Sequence, residues 1–190
     1  MATIPKPFIT PEEYLRRERA AEFKSEYFAG EVFAMSGGTL PHAQIATNII
    51  GELHGCLKAS PCRVVNSELR LLVPATGLYT YPDVMVICGE PDCSDGARDV
   101  VLNPILLVEV LSPKTQTYDR GDKFRNYRSI PTFKEYLIVA QDQALIEQWV
   151  LVDNRWTLLR EFRNLEEVLC LAHVPATLAL SEVYRLVTFQ

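Results

Sequence analysis

Residues 103–113, NPILLVEVLSP, form an apolar run of strand length with a proline near each end. A run this continuous, without the alternation of a half-exposed strand, predicts a central strand covered on both faces. Glu109 interrupts it. Side chains alternate along a strand, so Ile105, Leu107, Glu109 and Leu111 share one face and Leu106, Val108 and Val110 the other. A second strand is predicted at 79–87, YTYPDVMVI, rich in β-branched and aromatic residues, with Asp83 on the face of Tyr81 and Met85. A carboxylate in such surroundings is costly to bury unless a cation or hydrogen-bond donors meet it. Two such acids, each alone in a buried strand, make one site if the strands are neighbours.

The chain has 190 residues, of which 48% are hydrophobic and 23% charged, the balance expected of a single globular domain able to bury a core. No apolar run approaches the roughly 20 residues that cross a bilayer, and the opening MATIPKPFITPEEY has no apolar signal segment, so a cytoplasmic protein without a membrane partner is expected. Cys56, Cys62, Cys88, Cys93 and Cys170 are odd in number and contain no CxxC pair, which predicts reduced thiols. The net charge of −5 argues against non-specific coating of nucleic acid. A local basic segment is still present: Lys114, Arg120, Lys123, Arg125 and Arg128 face only Asp119 and Asp122 in sequence, and this is either a charged solvent face or a place for a phosphate backbone.

Thr10, Pro11 and Glu13 predict a helix start, with the helix running to about Phe23. SEYFAGEVFAMSGG reads as a hairpin turning at Ala29-Gly30, followed by a helix over 40–58 whose apolar face carries Ala46, Ile49, Ile50, Leu53 and Leu57, with His42 at its N-terminal end. Strands are expected in CRVVNSELRLLV and YPDVMVI, and the polar stretch 89–103 reads as a loop. Beyond Glu109, DRGDKFRNYRSI predicts a helix capped by Asp119 with Phe124 and Tyr127 facing inward. EYLIV, ALIEQWVL and WTLLREF then read as strands, and a short helix as starting near Ser181. No repeat or linker divides the chain, so the expectation is one α/β domain over 1–190: a mixed β-sheet flanked by helices, with an N-terminal helix and a β-hairpin.

Paired carboxylates bind a hard cation such as Mg²⁺ through oxygen, with positions left for water and a phosphate, and a nearby lysine suits phosphodiester hydrolysis. Here the sequence resembles a known family. SEYFAGEVFAMSGG with PHAQIATNI, YPDVMVI, and LLVEVLSPKTQTYDRGDKFRNY are similar to the Uma-type restriction endonucleases of the PD-(D/E)XK nuclease superfamily, over about 11–152. The resemblance implies a restriction-endonuclease-like fold, Mg²⁺ (or Mn²⁺) as cofactor, DNA as partner and substrate, and Asp83 with Glu109 as metal ligands and catalytic acids. The superfamily's lysine, two positions after the glutamate, is Leu111 here. The family pattern in SPKTQTYDRGDK points instead to Lys123, with Lys114 the nearer alternative in sequence. Glu26 and His42 also fall on family positions, as a third carboxylate and as a hydrogen-bond partner of metal-bound water.

Other readings stay open from the residues alone. Asp83 suits an edge strand with turn amides around it, Glu109 an ion pair with an arginine such as Arg70, and Lys123 a solvated helix face. The same fold could bind nucleic acid without cleaving it, or serve as an interaction protein with no nucleic acid at all. The sequence leaves a homodimer open, together with the DNA sequence or structure recognised.

Overall fold

The computed structural model describes residues 8–113 and 115–189. In chain order these contain α1 (Pro11–Glu18), β1 (Ser25–Phe28), β2 (Glu31–Ala34), α2 (Leu40–Leu57), β3 (Cys62–Asn66), β4 (Arg70–Val73), β5 (Leu78–Thr80), β6 (Val84–Cys88), β7 (Val100–Val101) and β8 (Leu106–Leu111). There follow α3 (Gln116–Tyr118), a π-helical turn (Asp119–Lys123), α4 (Phe124–Tyr127), β9 (Glu135–Ala140), β10 (Ile146–Val152), β11 (Arg155–Phe162), β12 (Val168–Cys170), β13 (Thr177–Ala179) and α5 (Leu180–Val183).

The expected mixed sheet resolves into two. One runs β11-β10-β9-β8-β6-β3 and the other β2-β1-β5-β4-β7, with β12-β13 as a separate pair. β8 is central and buried throughout, parallel to β9 and antiparallel to β6. Its two faces enter two cores, as alternation requires. Leu106, Val108 and Val110 pack with Ile45, Ile49 and Leu53 of α2, whereas Leu107 and Leu111 pack with Phe124, Tyr127 and Tyr136.

The hairpin turns where expected, with Ala29 and Gly30 both at positive φ (50° and 89°), the backbone that a tight two-residue hairpin turn demands. Several boundaries differ from the expectations. α1 stops at Glu18, well before Phe23, because the Glu18 carboxylate accepts the Ser25 N–H (2.8 Å) and so ties the helix end to the start of β1. The stretch 79–87 is two strands in two sheets, β5 and β6, parted at Tyr81-Pro82-Asp83, since Pro82 has no N–H to offer a ladder. CRVVNSELRLLV likewise splits into β3 and β4 at a turn closed by Leu69 N–H to the Asn66 carbonyl (3.2 Å). The 89–103 loop contains β7, which pairs parallel with β4 and is buried, a strand too short to carry periodicity. Asp119 lies inside a helical stretch that begins at Gln116, not at its cap.

Reduced thiols were the expectation for all five cysteines, but Cys62 and Cys88 form a disulfide, while Cys56, Cys93 and Cys170 are free. The two stand directly opposite each other in the β3–β6 register, a proximity that cysteine count and spacing do not reveal. Among the described residues, no helix is long and apolar enough to cross a membrane.

One buried acid serves the framework alone. Glu135 on β9 is fully buried and accepts from the Ala172 and His173 N–H groups (each 3.0 Å) and from Gln148 Nε2 (2.6 Å), clamping the β12–β13 connection to the main sheet. Glu135→Ala strands these donors, and a loss of about 3–5 kcal/mol is expected in urea unfolding, with metal binding unchanged.

Candidate active site

The register of β6 and β8 sets Val84 opposite Val108 and Met85 opposite Leu107. Asp83 directly precedes β6 and Glu109 directly follows Val108, so both acids lie at the same end of this pair, where they line one cleft and Asp83 acts electrostatically on Glu109. Asp83 is held by donors on two sides. The Val110 N–H donates to its Oδ2 (2.7 Å), and His42 Nε2 from the first turn of α2 lies 3.3 Å away. Thr39 caps α2 by accepting from the His42 N–H (3.3 Å), which fixes the histidine at the start of the helix.

Glu109 is 4% exposed. Its Oε1 accepts from the Tyr127 hydroxyl (2.7 Å) and lies 3.0 Å from Lys123 Nζ. Lys123 and Tyr127 are four residues apart, on one face, and converge on the same oxygen. The Arg70 alternative is not realised: that guanidinium donates to the Tyr81 hydroxyl (2.7 Å) and approaches Asp99 (3.4 Å).

Lys123 is buried in the π turn rather than solvated, with Glu26 and Asp119 carboxylate oxygens each 3.5 Å from its ammonium. Glu26 on β1 also accepts a short hydrogen bond from the Thr80 hydroxyl of β5. Asp83, Glu109, Lys123, Glu26 and His42 therefore line one cleft of about 450 Å³, and Asp119 joins them. Lys114 lies outside the described residues. Asp119 and Tyr127 are the functional candidates that sequence reasoning placed elsewhere, as a cap and as a core anchor. Their four-residue spacing on either side of Lys123 was the available signal.

The cluster is short of positive charge. Burial pushes the Glu109 carboxyl well above its ordinary range; Lys123 opposes this, while Asp119 and Asp83 add to it. Burial likewise raises Asp119 against the pull of Lys123. For Lys123 burial acts downward, but Glu109, Glu26 and Asp119 together carry its ammonium well above the usual lysine range. Several acids share one ammonium, so each is only partly compensated while the ammonium itself is over-satisfied. His42 follows the same logic: burial acts downward, and the Asp83 carboxylate and the Val110 backbone outweigh it.

This donor set fits a hard divalent cation. Among the described residues no three Asp, Glu, His or Cys side chains already converge as a metal cage. Asp83 and Glu109 instead provide carboxylate oxygens in a cleft where the acids outnumber the one lysine, suited to an ion held by one or two carboxylates that keeps waters and phosphate as its other ligands.

The arginines of the basic segment are exposed, and each has a partner. Arg120 is bound to Glu147 (2.6 Å), Arg125 pairs with Asp122, and the Arg128 guanidinium stacks 4.0 Å above the Phe124 ring.

Comparison with known proteins agrees with this architecture. The chain is 34% identical over 187 residues to the uncharacterized protein slr1290 of Synechocystis sp., covering 98% of this chain and 97% of that one. It is 35% identical over 161 residues to the uncharacterized protein sll1609 of the same organism, covering 85% and 91% respectively. Its fold matches the crystal structure of a protein described as a "putative nuclease belonging to DUF820" from Anabaena variabilis ATCC 29413, with a TM-score of 0.74 and 17% identity over 93% of this chain and 97% of that one. Residues 11–181 match the model of the family Uma2, described as "Putative restriction endonuclease", and with a match over so much of its length the chain belongs to that family.

Proposed function

We propose that the protein is a single-domain Mg²⁺- or Mn²⁺-dependent endonuclease that hydrolyses DNA phosphodiester bonds, working in the cytoplasm. The observation that carries this reading is that Asp83 and Glu109, at the same end of the β6–β8 pair, line one cleft with the Lys123 ammonium 3.0 Å from Glu109. Asp83 and Glu109 are the residues that would hold the cation, which when bound supplies Lewis-acid polarisation of a phosphate oxygen and a more acidic water.

The chain's own groups have distinct tasks. Lys123 places a fixed positive charge where negative charge develops on the phosphate oxygens. Glu26 and Asp119 hold that ammonium in position, and the Tyr127 hydroxyl, donating to Glu109, fixes the carboxylate beside it. His42 orients Asp83 and offers a hydrogen-bonding edge to water in the cleft. Asp83, Glu109, Glu26 and Asp119 line the cleft with one lysine among them, an acidic surround for a bare phosphodiester, so DNA affinity should depend on the divalent ion.

Calorimetry with Mn²⁺ tests the cation directly. Binding is expected in the wild type, with a gain of about 2.7 kcal/mol in stability at a hundredfold excess over Kd. Supercoiled, linear and single-stranded DNA should then be cut only with Mg²⁺ or Mn²⁺, and Asp83→Asn should lose both binding and cutting. Cleavage unaffected by Asp83→Asn, or no cation binding at all, defeats the proposal.

A further inference from the structure

We infer that Phe33 forms a stacking subsite for an unpaired base, so that the cleft takes a single-stranded segment of DNA in preference to an intact duplex. The inference rests on the nuclease reading for the phosphate site it adjoins. In the β1–β2 hairpin Phe33 stands directly opposite Glu26. Directly opposed residues of an antiparallel pair project from the same face with their Cβ atoms about 5 Å apart. Glu26 is one of the three carboxylates that reach Lys123, so Phe33 stands on the ammonium side of the site.

The ring is not used by the fold. Phe33 is 48% exposed on an edge strand whose four residues are all exposed, and with Met35 it gives the cleft an apolar lip. The reacting groups lie deeper: Glu109 and Lys123 are almost wholly buried at the cleft floor. A phosphodiester of an unstacked strand reaches groups at that depth with less distortion than one held in a rigid duplex cylinder.

Proteins that take single strands pair aromatic rings, on which unpaired bases stack, with positive charge that holds the backbone. Of the rings lining this cleft, Tyr81 is buried and Tyr118 half-buried, whereas Phe33 is exposed at the lip on the side of the Lys123 ammonium.

Fluorescence anisotropy with a labelled oligo-dT strand and the corresponding blunt dT·dA duplex, both with Mn²⁺, separates the possibilities. The single strand is expected to bind at least about tenfold more tightly. Phe33→Ala should weaken that binding by about tenfold and Phe33→Trp should restore it. Val32→Ala, on the opposite face of the same strand beside Tyr27, should leave it unchanged. Equal or tighter binding of the duplex, or no effect of Phe33→Ala, overturns the inference. Phe33-dependent binding of the single strand with no cleavage of any DNA upholds the subsite and removes the hydrolytic reading. Binding and cleavage of duplex alone do the reverse, and failure of both DNAs to bind removes the subsite outright.

Discussion

Lys123→Met is expected to lower DNA turnover by about 10²–10³-fold while Mn²⁺ still binds, because the ammonium acts on the phosphate and not on the cation. The substitution keeps most of the side chain's volume and removes only the charge. That charge is shared by Glu109, Glu26 and Asp119, all close to Nζ. Losing the one partner of buried acids costs about 3–5 kcal/mol, or roughly 6–20 °C in Tm for a chain of this size.

The pH dependence of that loss has a definite sign. The Lys123 pKa is raised in the fold, so its stabilisation is fully present below the unfolded lysine pKa and is lost only as pH climbs through the folded value, far above neutrality. In the variant the acids lose the cation that opposed their upward shift. Acids with raised pKa values destabilise the fold as pH rises above their unfolded values near 4. The Tm deficit of Lys123→Met should therefore widen from pH 5 to pH 8. Mn²⁺ should recover more of it than it adds to the wild type, since the ion can neutralise the same acids. Lys114→Ala is expected to keep full turnover, and the reverse pattern in one DNA assay would remove Lys123 from the mechanism.

How much of this arrangement is legible in sequence depends on the range over which each residue's environment is set. Glu109 could be read because β8 is apolar on both sides, so an acid in it has no solvent to face, and alternation alone puts it with Leu107 and Leu111. Asp83 could be read for the same reason, although the sequence pattern predicts one continuous strand where Pro82 makes a corner. Asp119 could not. An aspartate ahead of a helical pattern is the ordinary cap signal, and only the π turn, which shifts the start of the helix back to Gln116, turns it inward toward Lys123. A glutamate in a hairpin and a histidine at a helix start are similarly ordinary, so Glu26 and His42 entered through family resemblance rather than any local pattern. The Cys62–Cys88 pairing and the two-residue β7 depend wholly on which strands become neighbours, a tertiary outcome with no local trace. The partners of the basic segment, Glu147 on β10 for Arg120 and the Phe124 ring for Arg128, likewise come from packing.

Glu109→Gln separates a functional acid from a structural one, because the two roles predict opposite changes in stability. The folded protein holds Glu109 well above its ordinary pKa, chiefly through burial, so the ionised form is disfavoured in the fold. The sign follows: this group's contribution is most favourable below the unfolded carboxyl pKa and is lost as pH rises toward the folded value, leaving a penalty at pH 7. Glutamine removes the charge with little change of shape. Its amide oxygen can still accept from Tyr127, and Lys123 keeps Glu26 and Asp119. Metal-free Glu109→Gln should therefore melt higher than wild type at pH 7, with the gain shrinking toward pH 4. Mn²⁺ affinity should fall by at least about a hundredfold, beyond the 10–100-fold typical of residues one shell removed from a metal, and DNA cleavage should disappear with it. Such a pattern marks an acid kept for a cation at the expense of the fold. If instead Glu109→Gln melts lower and keeps the stabilisation by Mn²⁺, then Glu109 is one half of a structural ion pair with Lys123, and the cation is held elsewhere.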